Sequence, residues 1–231
     1  MTPALPFVLA TQNVDKAREI VEIFVALVDQ PLIAYSIDGI AFLVDAPEHL
    51  VASVAALPAL AEAPDVEETG QTLEENARIK ATALADALGL LAVADDTGLE
   101  VDALDGEPGI YSARYAGEHA TYAENVSKLL HELERAGAGA GAGATPRTAR
   151  FATVAIARRP DGDEVVARGE VEGLISTTAR GASGFGYDPV FVPVEGDGRS
   201  FAEMTPEEKH AVSHRGRAFR ALAALLTEER Y

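Results

Sequence analysis

Apolar residues gather first in "LPFVLA" (Leu5–Ala10), a run that stops at Thr-Gln-Asn. A short apolar run ended by polar residues predicts a buried strand followed by a loop. In "VDKAREIVEIFVALV", Ala17, Ile20, Ile23, Phe24 and Leu27 recur at helical spacing. Strand, loop and helix in that order open an α/β unit. Residues 31–66 are less regular. "LIAYSIDGIAFLVDA" fits one or two strands, and "PEHLVASVAALPALAEA" is rich in helix formers but is interrupted by Pro58. "TLEENARIKATALADALG" reads clearly as a helix, with Thr72 and Glu75 at capping-box spacing and Gly89 as the stop.

That helix leads into a strand, "LLAVA", which meets two adjacent aspartates, Asp95 and Asp96, then Thr97 and Gly98. The strand is expected to end there, with an aspartate in a turn before Gly98. A further helix is predicted at "TYAENVSKLLHELERAG". The repetitive "AGAGAGAGA" has no side chains to bury and predicts a flexible surface loop at about 136–146. Two alternating runs around Pro160-Asp161-Gly162 predict a hairpin. A glycine-rich segment, "RGASGFGYDPVFVP", follows, and the last helix is expected to begin near Ser213. No internal repeat is present.

Composition narrows the function. The chain has 231 residues, enough to bury a real core as one large domain or two small ones. Its formal net charge of -18 opposes general affinity for nucleic acid or for an anionic membrane. A small anion can still bind where Lys, Arg or a metal ion is concentrated. There is no cysteine, which excludes disulfides, zinc thiolates and cysteine nucleophiles. No secretory signal and no apolar run of bilayer-spanning length is visible, so a cytoplasmic protein is expected. The sequon at Asn125 is then a coincidence.

Several segments carry candidate chemistry. Thr11, Asn13 and Lys16 lie at a strand-to-helix junction, where free N–H groups and the positive dipole end suit a phosphate. The plainer alternative is an N-cap followed by a solvated lysine. Glu67 and Glu68 precede Thr69-Gly70, and Lys80 lies within the helix that follows. Neighbouring side chains on a strand point to opposite faces, so Asp95 and Asp96 do not act as one pair. One lines a site while the other braces the backbone. A carboxylate there, with Glu67, makes an oxygen-rich site suited to Mg²⁺. His210 and His214 are four apart, but Ala211 stands where a zinc protease requires Glu. Lys209, His214, Arg215 and Arg217 form a basic patch at the start of a helix, where positive charge opposes the dipole. In "GASGFGYDP", glycine permits close backbone approach, and Phe185 and Tyr187 are candidates to stack on a base. The alternative is a tight loop with core aromatics.

In order along the chain, "LATQNVDKAREI", "EETGQTLEENARIKA", "ADDTGLEVDALDGEPGIYSARYAG", "GFGYDP" and "MTPEEKHAVSHRGRA" resemble the Ham1/RdgB family of inosine triphosphate pyrophosphatases. The resemblance runs from Leu5 to about Leu226. It implies a single elongated α/β domain over residues 1–231, with a mixed central sheet, two lobes and a cleft between them. It also implies a homodimer and Mg²⁺-dependent cleavage of ITP, dITP and XTP to a monophosphate and pyrophosphate. Carried over by position, Thr11, Gln12, Asn13, Val14, Asp15, Lys16 and Lys80 hold phosphates. Glu67 and Asp96 bind the metal, Asp96 is also the general base, and Thr97 contacts substrate. Phe185, Gly186, Tyr187 and Asp188 hold base and sugar, and Lys209, His214 and Arg215 complete the contacts.

The sequence departs from the family pattern in places. Gln12 replaces a small residue, Thr97 replaces Ser, and Asp15 adds negative charge beside the phosphate loop. Residues 31–64 form a longer connection than usual. Two other readings compete: a house-cleaning hydrolase for other modified nucleotides, and a nucleotide-binding protein without catalysis.

Overall fold

A computed structural model describes residues 6–27, 32–37, 40–46, 49–52, 66–139 and 144–228. Nine strands are described: β1 (Pro6–Ala10), β2 (Leu32–Ile37), β3 (Ile40–Ala46), β4 (His49–Ala52), β5 (Leu91–Val101), β6 (Pro108–Gly109), β7 (Thr148–Arg158), β8 (Glu164–Ile175) and β9 (Phe191–Pro193). The described α-helices are α1 (Val14–Val25), α2 (Leu73–Leu88), α3 (Tyr122–Arg135), α4 (Pro206–Val212) and α5 (His214–Glu228). Strand order is β4-β3-β2-β1-β5-β7-β8-β9, with β6 paired to β5. β1 runs parallel to β2 and β5, while β2-β3-β4 is an antiparallel meander, so the expected α/β fold with a mixed sheet is present. "LIAYSIDGIAFLVDA" holds two strands, β2 and β3, within the one or two expected; β4 lies in the segment that reads as rich in helix formers, and residues 53–65 lie outside the described residues. No described helix is long and apolar enough to cross a membrane.

The chain packs as two compact units. The first comprises 1–96, 154–168 and 218–231; the second comprises 97–153 and 169–217. In the first, the alternation of β1 and β5 sorts side chains to two faces. Phe7, Leu9 and Val93 join Ala17, Ile20 and Phe24 of α1 and Phe219 of α5. Val8 and Ala92 take the other face, against Leu84 and Ala85 of α2. Burial on both faces explains why "LLAVA" reads as a continuous apolar run. In the second unit, Leu99, Val101, Phe151, Phe191 and Phe201 surround Leu129 and Leu133 of α3.

Helix ends follow the sequence signals. Thr72 caps α2 and Gly89 ends it at φ 64°. Thr121 and Glu124 form a capping box on α3. A second box, Thr205 with Glu208, opens α4 with Pro206 in its first turn. Asn125 of the sequon is buried, accepting from Ala116 N–H and donating to Ala113 O. In the Gly-Ala run, residues 140–143 lie outside the described residues. Ala138 and Thr145 nevertheless pair across it, and buried Arg147 donates to Ala138 O.

Candidate active site

β5 does not end at its aspartates. It continues without a break to Val101, so Asp95 and Asp96 lie mid-strand and neither occupies a turn. The two-residue period sends them to opposite faces. Asp95, on the side of Val93, meets Lys16 of α1 at 3.5 Å. Asp96, on the side of Ala92, meets α2: Lys80 Nζ stands 3.2 Å from its Oδ1, and Asn76 Nδ2 donates to its Oδ2 at 3.3 Å. Both aspartates are almost fully buried.

The loop before α2 closes on the same point. Glu68 accepts from Lys80 at 2.7 Å, so one ammonium group bridges Glu68 and Asp96. Asn76 Oδ1 also accepts from Gly70 N–H at 2.8 Å. Gly70 is obligatory here, because a Cβ would lie 2.6 Å from Asn76 Oδ1. Glu67, the expected metal ligand, is exposed. The carboxylate that the structure gathers with Asp96 is its neighbour Glu68. Asn76 was not legible as a site residue, since an asparagine in the first turn of a helix looks like a surface choice. Its complete burial shows otherwise.

Charge is unbalanced around this point. Burial pushes the Asp96 carboxyl above the ordinary carboxylate range; Lys80 and Lys16 draw it back, while Glu68 and Asp95 push it further up. Burial opposes the charge on Lys80, but Asp96, Glu68 and Asp95 outweigh it and hold the lysine above its ordinary value. Oxygen donors with surplus negative charge fit Mg²⁺, which takes one or two carboxylates and completes its shell with water and phosphate. No three His, Cys, Asp or Glu side chains among the described residues are grouped to hold a metal by themselves. The donor set therefore suits a cation that arrives with phosphate, rather than a closed protein cage.

At the β1–α1 junction, Asn13 caps the helix and its Oδ1 accepts from Asp15 and Lys16 N–H. Thr11 Oγ1 accepts from Asn13 N–H at 3.1 Å. The capping side chain thus already occupies two of the N–H groups expected to face a phosphate. Gln12 and Val14 are exposed and Asp15 is half-buried.

The second unit gathers the remaining candidates. Lys209 Nζ and Asp188 Oδ2 form a buried pair at 2.6 Å, and the same oxygen accepts from Phe185 N–H at 2.9 Å. Gly184, at φ 71°, passes so close that a Cβ would collide with the Asp188 carboxylate. Phe185 is half-buried, with Lys209 Nζ 5.1 Å and Arg215 Cζ 5.5 Å from its ring centre. Gly186 follows in left-handed backbone, at φ 61°. Buried Arg215 donates to Thr97 Oγ1 at 3.2 Å.

Tyr187 corrects an expectation. Its ring is buried in the core and its hydroxyl donates to Ser112 O at 3.0 Å, so it is not placed to stack on a base. Burial also pushes its ionisation well above the ordinary tyrosine value. His214 is likewise buried and stacks on Phe151 with ring centres 4.5 Å apart.

Residues 7–225 match the model of the Ham1 family. The chain belongs to the Ham1 family. The dITP/XTP pyrophosphatase of Bacillus anthracis is 39% identical over 223 residues, covering 96% of each chain. That of Streptomyces coelicolor is 49% identical over 165 residues, 71% of this chain and 79% of the relative. Among solved structures, a HAM1 protein from Coxiella burnetii superposes with a TM-score of 0.76 at 37% identity. The superposition covers 97% of this chain and 99% of that one.

Proposed function

We propose that this Ham1 family chain hydrolyses non-standard purine nucleoside triphosphates (ITP, dITP and XTP) to the monophosphate and pyrophosphate, and so cleanses the cytoplasmic nucleotide pool. The observation that carries this reading is the cluster of Asp96, Glu68 and Lys80, braced by Asn76 and flanked by Lys16 with Asp95. The activity of the named relatives supports the substrate class.

In this reading Asp96 orients the attacking water and takes its proton. A carboxyl held above its ordinary range is a stronger base than an exposed one, closer to the working pH. Water attacks the α-phosphorus, the bond to the bridging oxygen breaks, and pyrophosphate leaves. Lys16 and Lys80 neutralise the triphosphate. Asp96 with Glu68, and Glu67 as the resemblance implies, would hold Mg²⁺. Bound there, the ion would supply Lewis-acid neutralisation of phosphate oxygens.

Phe185 offers its half-buried face to the purine, and Arg215 donates to the 6-oxo group. Adenine would present an amino group to that donor and leave it unpaired, which is costly in a buried site. Tyr187 and His214 shape the surrounding core, and the Asp188–Lys209 pair fixes the backbone at Phe185. The single two-lobed domain and the homodimer implied by the resemblance belong to the same reading, and sedimentation velocity tests the latter.

A panel of ITP, dITP, XTP, ATP, GTP and modified pyrimidine triphosphates, assayed with and without Mg²⁺, tests the function. Equal yields of monophosphate and pyrophosphate from the first three, only with metal, are expected. Preference for a pyrimidine, or binding without turnover, would move the chain to one of the competing readings.

A further inference from the structure

Thr153 lies on β7 with no exposed surface. Its hydroxyl stands 2.7 Å from that of Thr97, and Thr97 Oγ1 accepts from Arg215 Nη2 at 3.2 Å. A guanidinium offers only donors. Thr97 must therefore turn a lone pair toward Arg215, and its own proton points elsewhere. The Thr153 oxygen is close enough to fix that orientation.

Arg215 has reason to need fixing. It is 2% exposed and lies in the first turn of α5, where its charge opposes the helix dipole. Beside it, Phe185 presents the aromatic face that also draws Lys209. Small rotations of the guanidinium would move its donors off a planar purine edge.

We propose that Thr153 is a positioning residue for purine recognition. Through the Thr97 hydroxyl it holds the Arg215 guanidinium against Phe185 in the orientation that reads a 6-oxo group. The inference rests on Arg215 contacting the base, as argued above. The competing view is that Thr97 and Thr153 are a cross-strand threonine pair that merely strengthens the sheet.

Thr153→Val keeps the shape of the side chain and removes its hydroxyl. The KM for ITP should rise by up to about tenfold, the upper end of the scale of one neutral hydrogen bond. The preference for ITP over ATP should fall by a similar factor, and kcat should change less than either. Thr153→Ser should restore both quantities. In a Thr97→Val background, Thr153→Val should add nothing further to KM, because the link is already cut.

A lower thermal midpoint with KM and discrimination unmoved would identify a purely structural pair and overturn the inference. Should Thr153→Val fail to fold, Thr153→Cys carries the same comparison, with unchanged KM again overturning it. Wild-type protein that does not cleave ITP overturns the functional reading and this inference together. Wild type that cleaves ITP, with Thr153→Val indistinguishable from it, overturns the inference alone.

Discussion

Two lysine–carboxylate arrangements, one in each compact unit, solve different problems. Lys80 is divided between Glu68 and Asp96, keeps 13% of its side chain exposed, and faces more negative charge than it can neutralise. Lys209 meets Asp188 in a pair only 5% and 4% exposed, whose shared oxygen also takes the Phe185 N–H. The first is open and electrostatically incomplete, which is what a site for a cation and a polyphosphate requires. The second is closed, and its work is to hold a loop. A buried, satisfied pair carries more cost when broken than benefit when made, so a short ion pair by itself does not mark chemistry.

The sharpest way to break this comparison is to remove one carboxylate from each arrangement. Asp96→Asn should lower kcat by roughly 10²-fold or more, the scale of a lost general base. Circular dichroism and the thermal midpoint should stay close to wild type. Asp188→Asn should do the reverse: it leaves Lys209 charged and buried, costing about 3–5 kcal/mol of stability, read from denaturant unfolding. Combining Asp188→Asn with Lys209→Met should recover part of that loss. A stable Asp188→Asn protein would mean that the pair is not the closed brace described here.

The open cluster should also betray itself in its titration. In metal-free protein, carbon-13 NMR should place the Asp96 carboxyl above the ordinary carboxylate range, chiefly through burial. Glu68→Gln should lower it, because Glu68 pushes it up. The raised native value fixes the sign of the linkage. This group's contribution to stability is complete below its unfolded pKa of about 3.9 and fades as pH rises through the native one.

The smallest effect is expected on the approach to the closed pair. Arg199 donates to both oxygens of Glu208, the residue before Lys209. With help from the Thr205 N–H, Arg199 pulls Glu208 down to about 2. That stabilisation is present above the ordinary carboxylate value and is lost as pH falls through about 2. Arg199→Ala should lower the thermal midpoint slightly at neutral pH, and the difference should vanish in strong acid.

Much of this was legible in the sequence where local rules govern. The capping residues Thr72 and Gly89, the hairpin around Pro160-Asp161-Gly162, and the helix after Ser213 are set by neighbours in the chain. The opposed aspartates followed from strand period alone. What failed depended on tertiary packing. Asp-Asp-Thr-Gly looks like a strand end, yet β5 continues because Asp95 and Asp96 find lysines on both faces. Glu68 and Glu67 are indistinguishable by type; only the position of Lys80 separates them. Tyr187 reads as a stacking candidate until its burial places it in the core.

The central claim is that water activated at Asp96 attacks the α-phosphorus, and cleavage of ITP in ¹⁸O-labelled water tests it most directly. The mechanism predicts one labelled oxygen in the monophosphate and none in the pyrophosphate. Label in the pyrophosphate, or release of orthophosphate as the first product, would contradict it.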